Sequence, residues 1–252
     1  MSRVAALYDI HGNLPALEAV LSDVVRAGVD RIVIGGDVLP GPMPRQVIER
    51  LQALDAPVEY LKGNGDRETL AEAADRPSRL PESARAQLRW NRAQLTDAQA
   101  ASVDAWPPQI RFERSGIGSV LFCHATPRND EEVVTRFVPL DVLSSIFEGA
   151  ADMVVCGHTH MQFDLHVGRT RVVNAGSVGM PFEAPGAYWL LIDTDVELRR
   201  TEYDLAAAAA AVRRTGFPDA DQFAAMYILH PPDMLEAFTQ YALASLTTGH
   251  GA

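Results

Sequence analysis

Seven residues of this chain are of the types that hold divalent metals, and each follows closely on a short apolar run. Asp9 and His11 come after VAALY, Asp37 after RIVIGG, Asn64 after VEYLKG, His124 after VLFC, and His158 with His160 after MVVCG. Carboxylates and imidazoles suit first-row divalent ions, and no cysteine joins them in a polar loop, which argues against a structural thiolate site. A single Asp-x-His or His-Thr-His reads as a helix cap beside a surface histidine. The same design at several successive strand ends reads instead as a metal centre able to activate water.

Such a centre needs elements that bring the loops together. VAALY, DIHGN and LPALEAVLSDVVRAG read as strand, loop and helix, with apolar residues at helical spacing, Asn13 as N-cap, Pro15 in the first turn and Gly28 as the stop. The pattern returns as RIVI, GGDVLPGP and a helix from about Pro44 to Ala53, and again as VEYL followed by KGNGD. Alternating strands and helices predict a largely parallel sheet, whose polar loops share one crevice at the strand carboxyl ends. Residues 67–106 carry no strand signal, and Thr96 with Gln99 predicts a capping box, so this stretch reads as a helical insertion and a candidate cap over the crevice. IRFER, VLFC, MVVC, FDLHV, TRVVN and AYWLLID then predict a second sheet, mixed in direction, with short glycine-bearing turns. LAAAAAAVRR and PDMLEAFTQYALASL predict carboxyl-terminal helices. The 252 residues, 47% hydrophobic, are enough for a single α/β domain spanning 1–252 with a full core.

Charge narrows the partners. A net charge of -11 leaves no basic stripe for a polyanion, so nucleic acid is not an expected partner. The amino end is apolar for only a few residues before Asp9, too short for a signal-peptide core or a membrane span, which leads to the expectation of a cytoplasmic protein. Cys123 and Cys156 each end an apolar run and read as buried free thiols.

DIHGN, GGDVLPGP, GNGD, CHATPR, GHTHM and NAGSVGMP, in this order from Asp9 to Pro181, resemble the motifs of the calcineurin-like metallophosphoesterases, in particular the small prokaryotic phosphodiesterases related to dinucleoside polyphosphate hydrolases. The resemblance implies a four-layer α/β/β/α sandwich with the metal centre at the strand ends. It implies two divalent metals, with manganese favoured over iron, zinc or nickel. Asp9, His11 and His160 would hold one, Asn64, His124 and His158 the other, and Asp37 would bridge them. Two dications about 3.5 to 4 Å apart repel, and an anionic bridge offsets this, while neutral Asn64 leaves net positive charge for phosphate. Asp37, Asn64 and His124 are thus the catalytic expectation, with a shared ionised water attacking phosphorus in line. Arg128, Asn13 and Arg67 are expected substrate contacts, and Asn174 and Ser177 expected supports of the metal ligands.

Gly65 departs from the family pattern. Relatives commonly carry histidine between the Asn and Asp of this motif, and the resemblance assigns it to proton donation to the leaving group or to phosphate binding. General acid help contributes typically 10² to 10⁴ in rate, so its loss favours stable leaving groups, in anhydrides, nucleotide diesters and aryl diesters. Gly65 is also expected to open space for a second substituent on phosphorus. The leading expectation is therefore hydrolysis of a small phosphodiester or nucleotide polyphosphate. A serine/threonine protein phosphatase would need a wide, shallow approach that the insertion should narrow. A non-catalytic metal-binding scaffold would be marked by lost ligands, and all seven candidate ligands are present. Tyr8 stands where many relatives carry serine and should point away from Asp9 into packing.

Overall fold

The computed structural model describes residues 3–73 and 80–248. In chain order the elements are β1 (Val4–Leu7), α1 (Leu14–Arg26), β2 (Arg31–Ile34), α2 (Pro44–Gln52), β3 (Val58–Tyr60), α3 (Asn64–Ala73), α4 (Glu82–Gln94), α5 (Asp97–Asp104), β4 (Gln109–Arg114) and β5 (Gly118–Cys123). They continue with α6 (Leu140–Phe147), β6 (Met153–Cys156), β7 (Phe163–Val167), β8 (Thr170–Asn174), β9 (Ala187–Ile192), β10 (Val196–Thr201), α7 (Leu205–Arg213), α8 (Ala220–Phe223), a π-helical turn (Ala224–Leu229) and α9 (Leu235–Thr248).

Two five-stranded mixed sheets result, in the orders β10-β9-β1-β2-β3 and β4-β5-β6-β8-β7. β1, β2 and β3 are parallel, as the alternating pattern predicts, while β4 with β5 and β7 with β8 form antiparallel hairpins. One apolar cluster lies between the first sheet and the helices α1 and α2, a second between the sheets, and a third between the second sheet and α6 with α9. Three seams make four layers, each helix or sheet burying its apolar face against the next.

Local signals fall where the chain chemistry puts them. Asn13 caps α1 by accepting from the Ala16 N–H, and Gly28 stops it at φ +62°. Thr96 and Gln99 form the capping box of α5. Tyr8 is fully buried between the sheets, with its hydroxyl donating to the Val155 carbonyl at 3.0 Å. A Cβ at Gly35 would lie 2.1 Å from the Tyr8 ring, so a large side chain at 8 requires glycine at 35.

The insertion is more integrated than a lid. Its expected start at residue 67 falls inside α3, and part of it, residues 74–79, lies outside the described residues. Leu95 of the α4–α5 junction and Val103 of α5 belong to the first core cluster. In α4, the fully buried Asn91 accepts from the Gly41 N–H at 2.9 Å, and so holds the loop after β2. Between the two named carboxyl-terminal helices lie α8 and the π-helical turn, which pack with α7 and Trp90 of α4 in a fourth apolar cluster beside the sandwich.

Candidate metal centre

The carboxyl ends of β1, β2, β3, β5 and β6 deliver the candidate ligands to one place. The loops are tied to one another by backbone bonds: Asp9 N–H to Gly36 carbonyl, His11 N–H to Asp37 carbonyl, Gly179 N–H to Asp9 carbonyl and Gly157 N–H to His124 carbonyl, at 2.8 to 3.1 Å. Asp9, His11, Asp37, His158 and His160 all have φ between 45° and 66°. Left-handed backbone costs a non-glycine residue about 1–2 kcal/mol, so five such residues in one centre persist only because the surrounding sheets over-determine them. Nothing in the residue types signals this, since aspartate and histidine at a strand end read as ordinary loop.

The hydrogen bonds decide which imidazole nitrogen faces inward. Nδ1 of His11 contacts the Pro40 carbonyl at 3.0 Å, Nδ1 of His124 the Gly35 carbonyl at 2.9 Å, and Nδ1 of His160 the Met180 carbonyl at 2.6 Å. A carbonyl only accepts, so each Nδ1 carries a hydrogen and Nε2 is the nitrogen that faces the centre, with a lone pair for a metal whenever the ring is neutral. His11 Nε2 and His160 Nε2 lie 3.3 Å apart, an arrangement of two lone pairs that a cation would stabilise. Asp9 Oδ1 is buried with no hydrogen-bond partner among the described residues, 3.4 Å from His160 Nε2 and 3.9 Å from His124 Nε2. Asp37 spans the same space, with Oδ2 3.6 Å from His11 Nε2 and Oδ1 3.5 Å from His124 Nε2.

Ligand atoms thus gather in two groups, Asp9 with His11 and His160, and Asp9 with Asp37 and His124. Asn64 joins the second through Oδ1, 3.1 Å from His124 Nε2. Asp9 belongs to both groups, so the shared position is not reserved to Asp37. His158 stands outside both. Its ring packs edge-on against His124 at 5.2 Å and its Nε2 lies 3.2 Å from the Glu131 carbonyl, while its backbone N–H donates to Asp9 Oδ2 at 2.9 Å.

The electrostatics follow from burial and close opposite charge. Burial disfavours charged His124, yet the charges of Asp37 and Asp9 and its hydrogen bonds prevail and raise its pKa to about 10. For Asp37 burial raises the pKa, but His124 outweighs it and holds the carboxyl well below its ordinary value. For His158, burial, helped by His124, outweighs the charges of Asp37 and Asp9 and pushes the pKa down to about 4. The two carboxylates thus hold positive charge at the centre, the requirement of a cation site, and the donor set of oxygen and imidazole nitrogen fits divalent transition metals.

The GNGD segment differs from the expected turn. Asn64 opens α3, and Gly65 is a helical residue with no positive φ. The Gly65 N–H donates to Asp37 Oδ1 at 2.7 Å, which orients that carboxylate from the positive end of the helix. A Cβ at position 65 would lie 2.4 Å from the Leu39 carbonyl oxygen and 3.0 Å from the Pro40 ring. The space expected at Gly65 is therefore filled by the loop after β2, and glycine is required for close packing rather than for a turn. Asp66 accepts from Leu39 N–H at 2.9 Å and Gly63 N–H at 3.1 Å, and so ties α3 to the Asp37 loop. An Asp in the first turn of a helix that starts at Asn64 is the signal that could have revealed this role.

The three expected substrate contacts separate. Asn13 is wholly buried, and its Nδ2 donates to the Gly179 carbonyl at 3.0 Å while Oδ1 caps α1, which corrects its expected role. Arg67 pairs with Asp130 and Glu131, and Arg128 with Glu132. Both arginines, with Lys62 and Trp106, line a cavity of about 440 Å³ that reaches His124. A second cavity of about 270 Å³ reaches His11 between α4 and the carboxyl-terminal segment. Asn174 donates to the Gly157 carbonyl and the Thr159 hydroxyl, and Ser177 donates to the Asp9 carbonyl at 2.8 Å, so both hold ligand-bearing loops in place.

Comparison with known proteins agrees with this geometry. Residues 3–197 match the model of the calcineurin-like phosphoesterase superfamily domain. The protein MJ0912 of Methanocaldococcus jannaschii is 27% identical over 239 residues, 86% of this chain and 95% of that one. Phosphodiesterase YfcE of Escherichia coli is 38% identical over 77 residues, 27% of this chain and 42% of that one. A solved metallophosphoesterase from Sphaerobacter thermophilus superposes with a TM-score of 0.71 at 26% identity, covering 90% of this chain and 99% of that one.

Proposed function

The chain belongs to the calcineurin-like phosphoesterases, hydrolases of phosphoric esters, and we propose that it uses two divalent metals to hydrolyse small phosphodiesters or nucleotide polyphosphates. The observation that carries the reading is the convergence of three carbonyl-oriented imidazoles on two buried carboxylates, one of which has an oxygen without a hydrogen-bond partner among the described residues. Asp9, His11 and His160 suit one ion, Asn64, His124 and Asp37 the other, and Asp37 reaches histidines on both sides. His158 completes the second set only through the ring nitrogen that does not face the Glu131 carbonyl. When bound, such metals supply Lewis acidity to the phosphate oxygens and lower the pKa of water to near neutrality. The residues of the chain fix the geometry. The Gly65 N–H aims Asp37, the carbonyls of Gly35, Pro40 and Met180 aim the imidazoles, and the His158 N–H aims Asp9.

Two observations support a diester or anhydride over a monoester. Position 65 offers no imidazole to protonate a basic leaving group, which favours groups stable as anions. Cavities open on both sides of the centre, one at His11 and one at His124, so both arms of a disubstituted phosphate find room. Their volumes of about 440 and 270 Å³ suit the parts of a small substrate. The reading is tested with metal-stripped protein resupplied with manganese, iron, zinc or nickel. Hydrolysis of bis(p-nitrophenyl) phosphate should return with metal and exceed that of p-nitrophenyl phosphate. Full diester activity in the stripped protein would refute it.

A further inference from the structure

The cleft beside His11 is not walled by the ligand-bearing loops alone. Ser83 and Gln87 of α4 form one side, and Phe217, Phe223 and Tyr227 of the carboxyl-terminal segment the other. That segment begins beyond residue 197, where the match to the family domain ends.

A series of rings leads from the centre into this wall. Phe182 lies flat on the His160 imidazole, with centroids 4.8 Å apart and 20° between planes. Tyr227 is 6.2 Å from Phe182 and 5.3 Å from Phe223, and Phe223 stands edge-on to Phe217 at 5.9 Å. Phe217 and Phe223 are buried, whereas Tyr227 is half-buried at the cleft. Tyr227 sits in the π-helical turn Ala224–Leu229, a rare geometry that is frequent at functional sites.

The charge of the cleft restricts its occupant. Its described lining residues include no lysine or arginine, and Asp219 is its one carboxylate, accepting from Gln87 Nε2 at 3.3 Å. A second phosphate placed here would meet Asp219 with no lysine or arginine of the described lining to offset it. About 270 Å³ falls just below the range of roughly 300–1,000 Å³ for drug-sized ligands, which leaves room for one ring system. Uncharged rings also pair favourably with the aromatic edges and faces already present.

We infer that the His11-side cleft is the subsite for an uncharged, flat aromatic substituent on the substrate phosphorus, with Tyr227 setting the preference for it. The inference rests on the phosphoesterase reading above, and binding separates the two. Methylphosphonate and phenylphosphonate share a metal-binding head and differ in the ring, so calorimetric titration of each into the metal-loaded full chain isolates the cleft. Phenylphosphonate should bind about 10-fold tighter, with Tyr227→Ala reducing that advantage to about 2-fold and leaving methylphosphonate affinity unchanged. Tyr227→Leu keeps the apolar bulk and guards against a folding failure, and it too should lose most of the advantage. Equal affinities in the unsubstituted protein, or an undiminished advantage in Tyr227→Leu, overturn the subsite while leaving the phosphoesterase reading intact. Failure of both phosphonates to bind the metal-loaded protein removes that reading and the subsite with it.

Discussion

The two sides of the candidate metal centre present different surroundings to a shared set of candidate ligands. Around His11 the wall is aromatic, with Phe217, Phe223 and Tyr227, and its described residues carry no cation. Around His124 it is ionic, with Lys62, Arg67 and Arg128, yet each cation is already paired with a carboxylate: Asp104, Asp130 with Glu131, and Glu132 respectively. The ligands themselves come from equivalent strand-end loops of both sheets. On the proposed reading, chemistry would reside in what the sheets have in common, and selectivity in what is attached on each side: α4 and the carboxyl-terminal helices on one, the loop between β5 and α6 with the end of α5 on the other.

Asp37 is the residue whose loss should erase the difference between the sides, because it reaches His11 at 3.6 Å and His124 at 3.5 Å. Asp37→Asn should lower kcat by about 10²- to 10³-fold, in line with removal of one strong electrostatic element from a reaction centre. Bound metal should fall with it. Asp9→Asn is the sharper control, since Asp9 belongs to both ligand groups. A kcat unchanged in both variants would mean that neither carboxylate is shared.

Next in size is Gly65→His, which restores the common family residue. Its Cβ would press on the Leu39 carbonyl oxygen, and overpacking of this kind costs roughly 1–3 kcal/mol. Denaturant titration should show that loss, and the Asp37 loop should move with it. Undiminished stability would mean that the loop after β2 yields, and that the glycine is free to vary.

How far the sequence could be read follows from which interactions are local. Strand ends, the caps at Asn13 and Thr96 and the parallel core of the first sheet depend on short-range patterns, and they are found as expected, while the strand-end loops bring six of the seven candidate metal ligands near one another. The outward turn of the His158 ring, the burial of Asn13 against Gly179, the occupied space at Gly65 and the grip of Asn91 on Gly41 depend on residues far apart in the chain. No spacing rule encodes those contacts. The aromatic wall was hidden for another reason, because α8 and the π-helical turn interrupt helical periodicity between two regular helices.

A pH effect sharpens the comparison at Asp66, which joins α3 to the loop bearing Asp37. Burial first, and the charge of Asp37 second, raise its pKa to about 7. An unfolded carboxyl titrates near 3.9, so between about 4 and 7 the unfolded chain releases this proton and the folded chain keeps it. The contribution is fully present below about 3.9 and is lost as pH rises through 7, with a slope approaching 1.4 kcal/mol per pH unit. In chelator-treated protein, Asp66→Asn should flatten the fall in stability over this interval. Parallel pH profiles for the two proteins would place the titration elsewhere.

The smallest effect is expected on the ionic side. Arg67 is partly exposed and its pairs with Asp130 and Glu131 are surface ion pairs, worth about 0–1 kcal/mol. Arg67→Gln should leave stability nearly unchanged and raise KM for anionic, polyphosphate-bearing substrates more than for bis-aryl diesters. An equal rise for both classes would show that the two sides do not divide the substrate.

The most direct test of the central claim is metal analysis paired with diester hydrolysis on the same preparation, purified without chelator. The account predicts two metal ions per chain, loss of bis(p-nitrophenyl) phosphate hydrolysis on stripping, and its return as the second ion is restored. Full hydrolysis by protein holding one ion or none would contradict it.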